Sequence, residues 1–243
     1  MTTTLDLVFA VVVGIVWPLF EWRVSWPAFQ RRARTDASRA RMTEYFSTLV
    51  IQWTLAVACF LLLRHEGRSL GSIGVTGVTG WRLAVAIAPS FLLAAALAWN
   101  IGALRRSARA RTVVRGQAER MGHFNALLPR RADEAAWFIA ISITAGICEE
   151  LLFRGFLWKT LANGIGLWPA AVVACALFGL LHAYQGQKGV INTTLVGVAM
   201  TVFVAVTGSV IPAMVLHALI DIQSGTLSYI ALRPESAEVL PAA

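Results

Sequence analysis

Two adjacent glutamates, Glu149 and Glu150, lie in the middle of the apolar stretch AWFIAISITAGICEELLFRGFLW. A charged side chain at the centre of a bilayer costs about 2.5–3.5 kcal/mol on insertion scales and usually marks a functional site. Two later apolar segments each carry one histidine, His182 in ALFGLLHAY and His217 in VIPAMVLHALIDI. Carboxylate and imidazole groups move protons and bind metal ions in enzymes. The sequence therefore predicts a hydrolase whose acid–base groups lie inside a membrane.

Helical spacing divides these residues into groups. Residues four apart share a helix face, so Glu150 and Arg154 are predicted to form an ion pair. Glu149 points about 100° away from Glu150 and is left for chemistry. His217 and Asp221 are also four apart, which suits a carboxylate orienting an imidazole or two ligands of one metal ion. A purely structural polar network is the alternative, but so many ionisable groups on three apolar helices are too costly to recur by accident.

No side-chain nucleophile accompanies these groups. The sequence contains neither H-E-x-x-H nor G-x-S-x-G. Ser142 and Thr144 lie on the glutamate helix without a base at helical spacing. The three cysteines have no C-x-x-C spacing and are predicted to be small core residues; they are Cys59, Cys148 and Cys175. Activated water is therefore the predicted nucleophile.

The composition is that of a membrane protein. The chain is 57% hydrophobic and 14% charged, whereas about a quarter of the residues of a soluble domain are charged. Seven apolar segments approach or reach the length that spans a bilayer. They are 5–20, 47–63, 83–104, 135–158, 167–184, 189–206 and 210–232. The first has no small-x-small cleavage site after it, so we expect it to remain as a helix. We predict an all-α, polytopic transmembrane bundle of about seven spanning helices, within a range of six to eight.

Positive charge is concentrated in two loops. The formal net charge is +8, with six arginines from Arg23 to Arg41 and eight from Arg105 to Arg131. Both groups follow odd-numbered apolar segments, so they are expected on one side of the membrane, and basic loops stay cytoplasmic. Few aromatic residues interleave with these cations, so we expect contact with membrane lipids and none with nucleic acid. The predicted location is the cell (inner) membrane, with multiple spans.

The ionisable groups at membrane depth all fall in the second half of the chain. We therefore expect three parts: a three-helix region with basic cytoplasmic loops at 1–134, a catalytic helical core at 135–232 and a short tail at 233–243. The first three helices are expected to carry no ionisable residue at depth. The second basic loop could form an amphipathic helix on the membrane surface.

The order of three motifs resembles one family. The motifs are EELLFR (Glu149 to Arg154), FGLLH (Phe178 to His182) and HALID (His217 to Asp221). Their pattern, E-E-x-x-x-R, F-x-x-x-H and H-x-x-x-N/D on successive apolar helices, is similar to that of the CPBP family. This family includes CAAX-type prenyl endopeptidases and the bacteriocin-processing or immunity proteins also called Abi. The resemblance covers about the last hundred residues.

The resemblance implies an intramembrane protease that cuts near the C-terminus of a protein or within a leader. It implies that Glu149 is the essential glutamate and that His182 helps it to activate water. His217 would contribute from the opposite side, and Asp221 would stabilise the oxyanion, with Glu150, Arg154 and Phe178 in supporting positions. The prenyl endopeptidases have asparagine where this chain has Asp221. Because an ionised carboxylate cannot donate a hydrogen bond, Asp221 must be protonated, orient His217 or bind metal.

Two mechanisms remain open at this stage. In one, Glu149 takes a proton from water that His182 holds. In the other, His182, His217 and a carboxylate from Glu149 or Asp221 bind Zn²⁺, because two histidines and one carboxylate form an acceptable catalytic zinc site. We favour the first slightly. The expected substrate is a membrane-associated protein or peptide that carries a CAAX-like tail, in some cases lipidated, or a leader.

Helices with level ends would not assemble such a site. They would place Glu149, His182 and His217 more than about 10 Å apart in depth. A working site therefore requires helix ends that differ by several residues from these segments, or a broken or re-entrant helix, for which the polar stretch 185–192 is the predicted position. Two other functions also remain: an ion-coupled transporter, whose carboxylates and histidines would relay ions, and a non-catalytic immunity or scaffold protein of the same fold.

Overall fold

The structure, a computed structural model, describes residues 2–233. These residues form helices and loops, with no β-strand between positions 2 and 233. Six helices are long and apolar enough to cross a membrane, and a further apolar helix is shorter. The predicted polytopic all-α bundle is confirmed. Of the predicted tail, all but Arg233 lies outside the described residues.

Connections of one to fifteen residues join the helices. In chain order they are α1 (Thr4–Ala33), α2 (Ala37–His65), α3 (Trp81–Arg106), α4 (Ala108–Arg120), α5 (Ala132–Ile165), α6 (Leu167–Leu181), α7 (Gly186–Thr207) and α8 (Ile211–Leu232). Three short 3₁₀ turns lie between them, at Leu70–Ile73, Gly122–Leu127 and Ala183–Gln185. The shorter apolar helix is α6. Side chains of Thr3, Asp36 and Ser107 cap the N-termini of α1, α2 and α4.

Helix α1 is longer than the apolar segment that predicted it. It continues through Pro18 and Pro27 to Ala33, because two π-helical stretches, Val12–Val16 and Glu21–Ser25, precede the prolines. Such stretches change the hydrogen-bond register of the backbone. The missing N–H of each proline therefore need not end the helix. As a result Glu21 lies in the middle of a 30-residue helix. The expectation that the first three helices carry no ionisable group at depth is wrong.

The two basic loops meet at one end of the bundle. The guanidinium of Arg41 pairs with Glu134 (Nη2 to Oε1, 2.9 Å) and donates to the carbonyl of Ala126 (3.3 Å). The hydroxyl of Tyr45 donates to the carbonyl of Leu127. Helix α4 forms in the second loop, as expected, and Arg115 anchors it to the C-terminal end of α8. Both loops are therefore on one side, and the cytoplasmic identity of that side stays a prediction.

At the opposite end the helices are strongly staggered. The loop after α2 folds inward, so the N–H of Val210 donates to the carbonyl of Gly74 (2.9 Å). The carbonyl of the neighbouring Ile73 lies 3.1 Å from the position of a Cβ on Gly155. Helix α8 thus begins beside the middle of α5, about ten residues or about 15 Å below its C-terminal end. The expected separation of the site residues in depth assumed level ends and is wrong.

A break does follow α6, but earlier than predicted. The helix ends at Leu181, a single 3₁₀ turn follows, and α7 starts at Gly186. Gly186 has φ +79°, a conformation that glycine adopts without strain. The remainder of the polar stretch 185–192 is helical. The break therefore places His182 at the end of a helix, beside a turn that leaves room for a cavity.

Close contact between α5 and α8 depends on Gly146. A Cβ on this residue would lie 2.6 Å from the carbonyl oxygen of Met214 and 2.8 Å from the backbone nitrogen of Ala218. Small residues of this kind let transmembrane helices approach closely. Gly146 is one turn before Glu150, and Met214 is about one turn before His217. This contact therefore sets the separation of the two helices at the site.

We expect Gly146→Ala to destabilise the protein by about 1–3 kcal/mol, because the added methyl group meets rigid backbone. Thermal unfolding in detergent, followed by circular dichroism, measures the change. The control is Gly164→Ala on the same helix, where a Cβ meets nothing within 4 Å and the midpoint should not fall. Equal midpoints for the two variants would contradict the assigned packing.

Candidate active site

The two glutamates lie where α5 changes its winding. The helix is α-helical up to Glu149 and π-helical from Glu150 to Leu157. Such wide turns occur frequently at functional sites. Both carboxylates are buried, with 5% of Glu149 and none of Glu150 exposed. Charged groups at this burial require polar partners, and the partners differ for the two residues.

Glu150 is the centre of an ion-pair network. Its Oε1 accepts hydrogen bonds from Arg154 Nη1 and from His217 Nδ1, both at 2.8 Å. The Arg154 guanidinium also lies over the ring of Phe178, 4.0 Å from its centre. The predicted pair of Glu150 with Arg154 is confirmed. These contacts hold the wide turn of α5 against α6 and α8.

Glu150, and not Asp221, orients the imidazole of His217. The distance from Asp221 Oδ2 to His217 Nε2 is 3.6 Å, which is too long for a hydrogen bond. The Asp221 side chain is 36% exposed. The i,i+4 spacing correctly placed the two side chains together, but a carboxylate from another helix makes the shorter contact. The prediction that Asp221 orients the imidazole is therefore not supported by this geometry.

Glu149 has one oxygen bound and one without a partner. Its Oε1 accepts a hydrogen bond from Gln52 Nε2 at 2.7 Å. Its Oε2 is buried without a hydrogen-bond partner and lies 3.9 Å from His217 Nε2. An unpaired buried carboxylate oxygen is costly and calls for a water molecule or a ligand. One oxygen of Glu149 is therefore held in place by Gln52, and the other is buried without a hydrogen bond.

His182 also has one nitrogen engaged. Its Nδ1 lies 3.0 Å from the carbonyl oxygen of Phe178. Because a carbonyl only accepts, this hydrogen bond places the proton on Nδ1 and leaves a lone pair on Nε2. The imidazole packs edge-on against the Phe178 ring, with centroids 5.1 Å apart. The predicted shared face of Phe178 and His182 is thus observed.

A small cavity connects these groups. It has a volume of about 70 Å³, and Glu149, Gln52 and His182 line one part of it. This space accommodates a few water molecules. The cavity continues toward α1 and the basic loops, where Glu21 and Leu127 contribute to its wall. Glu149, Gln52 and His182 therefore border one space, beside the unpaired carboxylate oxygen of Glu149.

The four candidate zinc ligands do not form a metal site. Among the side chains that the structure describes, no group of three or more His, Cys, Asp or Glu is arranged to hold a metal ion. Glu150 and the backbone of α6 hold only the Nδ1 atoms of His217 and His182, which leaves both Nε2 atoms available.

The side chains rejected as nucleophiles have structural contacts. Ser142 Oγ donates to the carbonyl of Phe138 (2.7 Å), and Thr144 Oγ1 accepts from the indole of Trp53 (3.2 Å). All three cysteines are buried and free, as expected for core residues. None of these side chains is placed to attack a substrate.

Gln52 is the site residue that the sequence analysis missed. It is 3% exposed and comes from α2, a helix without any recognised motif. A polar amide within IQWTLAVACFLLL is unusual for a lipid-facing helix and could have been noticed. Ionisable groups carry a larger penalty in a bilayer than a neutral amide does, so they give the stronger signal in a sequence.

Fold and site together define a class: an integral membrane protein with several spanning helices and a buried carboxylate–histidine site. Residues 131–223 match the family model of the type II CAAX prenyl endopeptidases, Rce1-like. The match contains all three motifs and confirms the resemblance to the CPBP intramembrane proteases. It supports CAAX-type membrane protease activity in general. No curated protein and no solved structure matches the chain.

Proposed function

We propose that the protein is an intramembrane endopeptidase in which Glu149 and His182 activate water. Its substrate is a membrane-associated protein or peptide, cut in a CAAX-like tail, in some cases lipidated, or in a leader. The observation that carries the proposal is the unpartnered Oε2 of Glu149, buried in a helix whose cavity also contains His182. The family match supports the reaction class.

The reaction begins with a water molecule between the two side chains. One hydrogen points to Glu149 Oε2 and the other to the lone pair of His182 Nε2. As the water oxygen bonds to the scissile carbonyl carbon, Glu149 takes the first proton and the carbonyl electrons move to oxygen. Glu149 then delivers this proton to the leaving nitrogen as the C–N bond breaks. The products are a carboxylic acid and an amine, and Glu149 is regenerated.

Gln52 positions the base and supplies a donor. One N–H of its amide holds Glu149 Oε1, and Nε2 carries a second hydrogen in the wall of the cavity. We assign the oxyanion contact to this second N–H, because an amide donates a hydrogen bond whether or not Asp221 is protonated. Glu150 and Arg154 keep His217 beside Glu149.

The cavity leads to the end of the bundle that carries the basic loops. Its wall includes Leu127, whose carbonyl accepts from Tyr45 in that region. Because basic loops remain in the cytoplasm, this position supports the proposal of an entrance on the cytoplasmic side of the cell membrane. A cytoplasmic tail or leader would therefore reach the site without crossing the bilayer.

The test is peptide cleavage by detergent-purified protein reconstituted in liposomes. We expect the wild type to cut members of a peptide library into two fragments, identified by mass spectrometry. His182→Ala should lower kcat about 10²-fold or more, because the water loses one of its two acceptors. Wild-type protein that is folded but inert toward prenylated and unmodified peptides would contradict the proposal and favour a non-catalytic role.

A further inference from the structure

The cavity beside Glu149 is lined by more carboxyl groups than the reaction uses. Glu21 from α1 and Glu44 from α2 line it together with Glu149. Glu44 is paired with Arg32 (2.9 Å). Glu21 accepts a hydrogen bond from the indole of Trp17 (3.2 Å), and no lysine or arginine that the structure describes forms an ion pair with it. Within that same part of the chain, no lysine or arginine lines the cavity.

Aromatic side chains form much of the remaining wall. Trp17, Trp26 and Tyr184 all line the cavity. The rings of Trp26 and Tyr184 pack against each other with centroids 5.1 Å apart. Aromatic faces combined with carboxylates are a common arrangement for binding organic cations. The shape and chemistry of this wall therefore favour an alkylammonium or guanidinium group over a neutral side chain.

An independent observation points to a hydrogen-bond donor in the same place. The Oε1 atom of Gln52 is buried without a hydrogen-bond partner. Gln52 lines the cavity and is only 3% exposed. Because Nε2 of the amide is directed to Glu149, the free Oε1 can only accept. A cationic side chain carries only donors, so it would satisfy this oxygen together with Glu21.

We propose that Glu21, Glu44 and the surrounding aromatic residues form a subsite for a lysine or arginine side chain of the substrate, next to the scissile bond. This inference rests on the proposed function and specifies its substrate class. The surface of this end of the bundle is rich in arginine and repels basic peptides. Preference for a basic residue therefore arises inside the cavity, after the peptide has entered.

The experiment compares three peptides that differ at one position beside the scissile bond: lysine, methionine or glutamate. Methionine matches lysine in length without its charge. For the wild type we expect kcat/KM to be about tenfold higher for the lysine peptide than for the methionine peptide. Glu21→Gln should bring this ratio toward one, and Glu21→Lys should favour the glutamate peptide. Glu119→Gln, at an exposed position on α4, should keep the wild-type ratio.

The outcomes separate the subsite from the reaction. Cleavage of all three peptides at equal rates would overturn the subsite and leave the protease assignment intact. If no peptide is cut, binding of fluorescent peptides to detergent-solubilised protein is measured instead. Tighter binding of the lysine peptide that Glu21→Gln abolishes would support the subsite without the reaction. Equal binding of the lysine and methionine peptides would overturn it.

Discussion

Glu149→Gln is expected to lower kcat for peptide cleavage by about 10²–10⁴-fold, the usual contribution of a general base. Glutamine has the size of glutamate and can still accept the hydrogen bond from Gln52, so the fold and KM should change little. What is lost is the group that accepts the proton of water. The measurement is steady-state cleavage of a fluorogenic peptide by protein in liposomes, with circular dichroism to verify the helices.

Two further variants make this result specific. Glu119→Gln removes a carboxylate from the exposed face of α4 and should leave kcat unchanged. Gln52→Leu keeps the base but removes the amide that holds it, so an intermediate loss of kcat is expected. If Glu149→Gln retained more than a tenth of the wild-type rate with the same products, the base would have to be another residue.

Arg154→Met is expected to destabilise the protein by about 3–5 kcal/mol, the cost of leaving a buried ion-pair partner uncompensated. The Arg154 side chain is 2% exposed and Glu150 is fully buried. Methionine fills most of the space but cannot neutralise Glu150 or donate to it. Unfolding in mixed detergent micelles, followed by circular dichroism, gives the free energy. Activity should fall as well, since Glu150 also orients His217.

A double-mutant cycle identifies the cause of this loss. In Arg154→Met/Glu150→Gln the uncompensated charge is gone, so the double variant should be less destabilised than the sum of the two single variants. The control is Arg131→Met, which breaks an exposed pair with Asp133 (side chains 63% and 52% exposed) and should not change stability measurably. Simple additivity would show that the pair acts through packing alone.

The helical spacing of the motifs predicted their local contacts well. Glu150 and Arg154 pair as the i,i+4 rule requires, and Phe178 packs against His182 for the same reason. These contacts form within one helix or at its end, so the geometry of a single helix determines them. The separate direction of Glu149 follows in the same way, because adjacent residues differ by about 100° around the axis.

Contacts between helices were predicted less well. The spacing of His217 and Asp221 suggested that Asp221 orients the imidazole of His217. In the structure, Glu150 on α5 makes the shorter contact with that imidazole. Which carboxylate comes closer depends on the approach of α8 to α5, and that approach depends on Gly146. The sequence around a glycine does not show which helix packs against it. Spacing along one helix therefore could not decide which of the two carboxylates contacts His217.

The depth of each helix was also beyond the sequence analysis. Apolar segments predicted α1 as 5–20, whereas it extends from Thr4 to Ala33 and brings Glu21 to the cavity. Hydropathy identifies the apolar part of a helix that faces lipid. The end of a helix that packs on protein can be polar, so hydropathy does not locate it. Likewise, the inward fold of the loop at Gly74 sets the start of α8. This loop has no apolar signal of its own.

The sequence by itself determined that the chain is a helical membrane protein, which residues could do chemistry and which of them pair along a helix. These properties follow from composition and helix periodicity, which are local. Only the tertiary structure decided that Glu150 holds His217, that Gln52 holds Glu149 and that Glu21 faces the same cavity. Each of these contacts joins residues more than 60 positions apart or on separate helices. They depend on the stagger and separation of the helices, which many weak packing contacts set together and no single motif encodes.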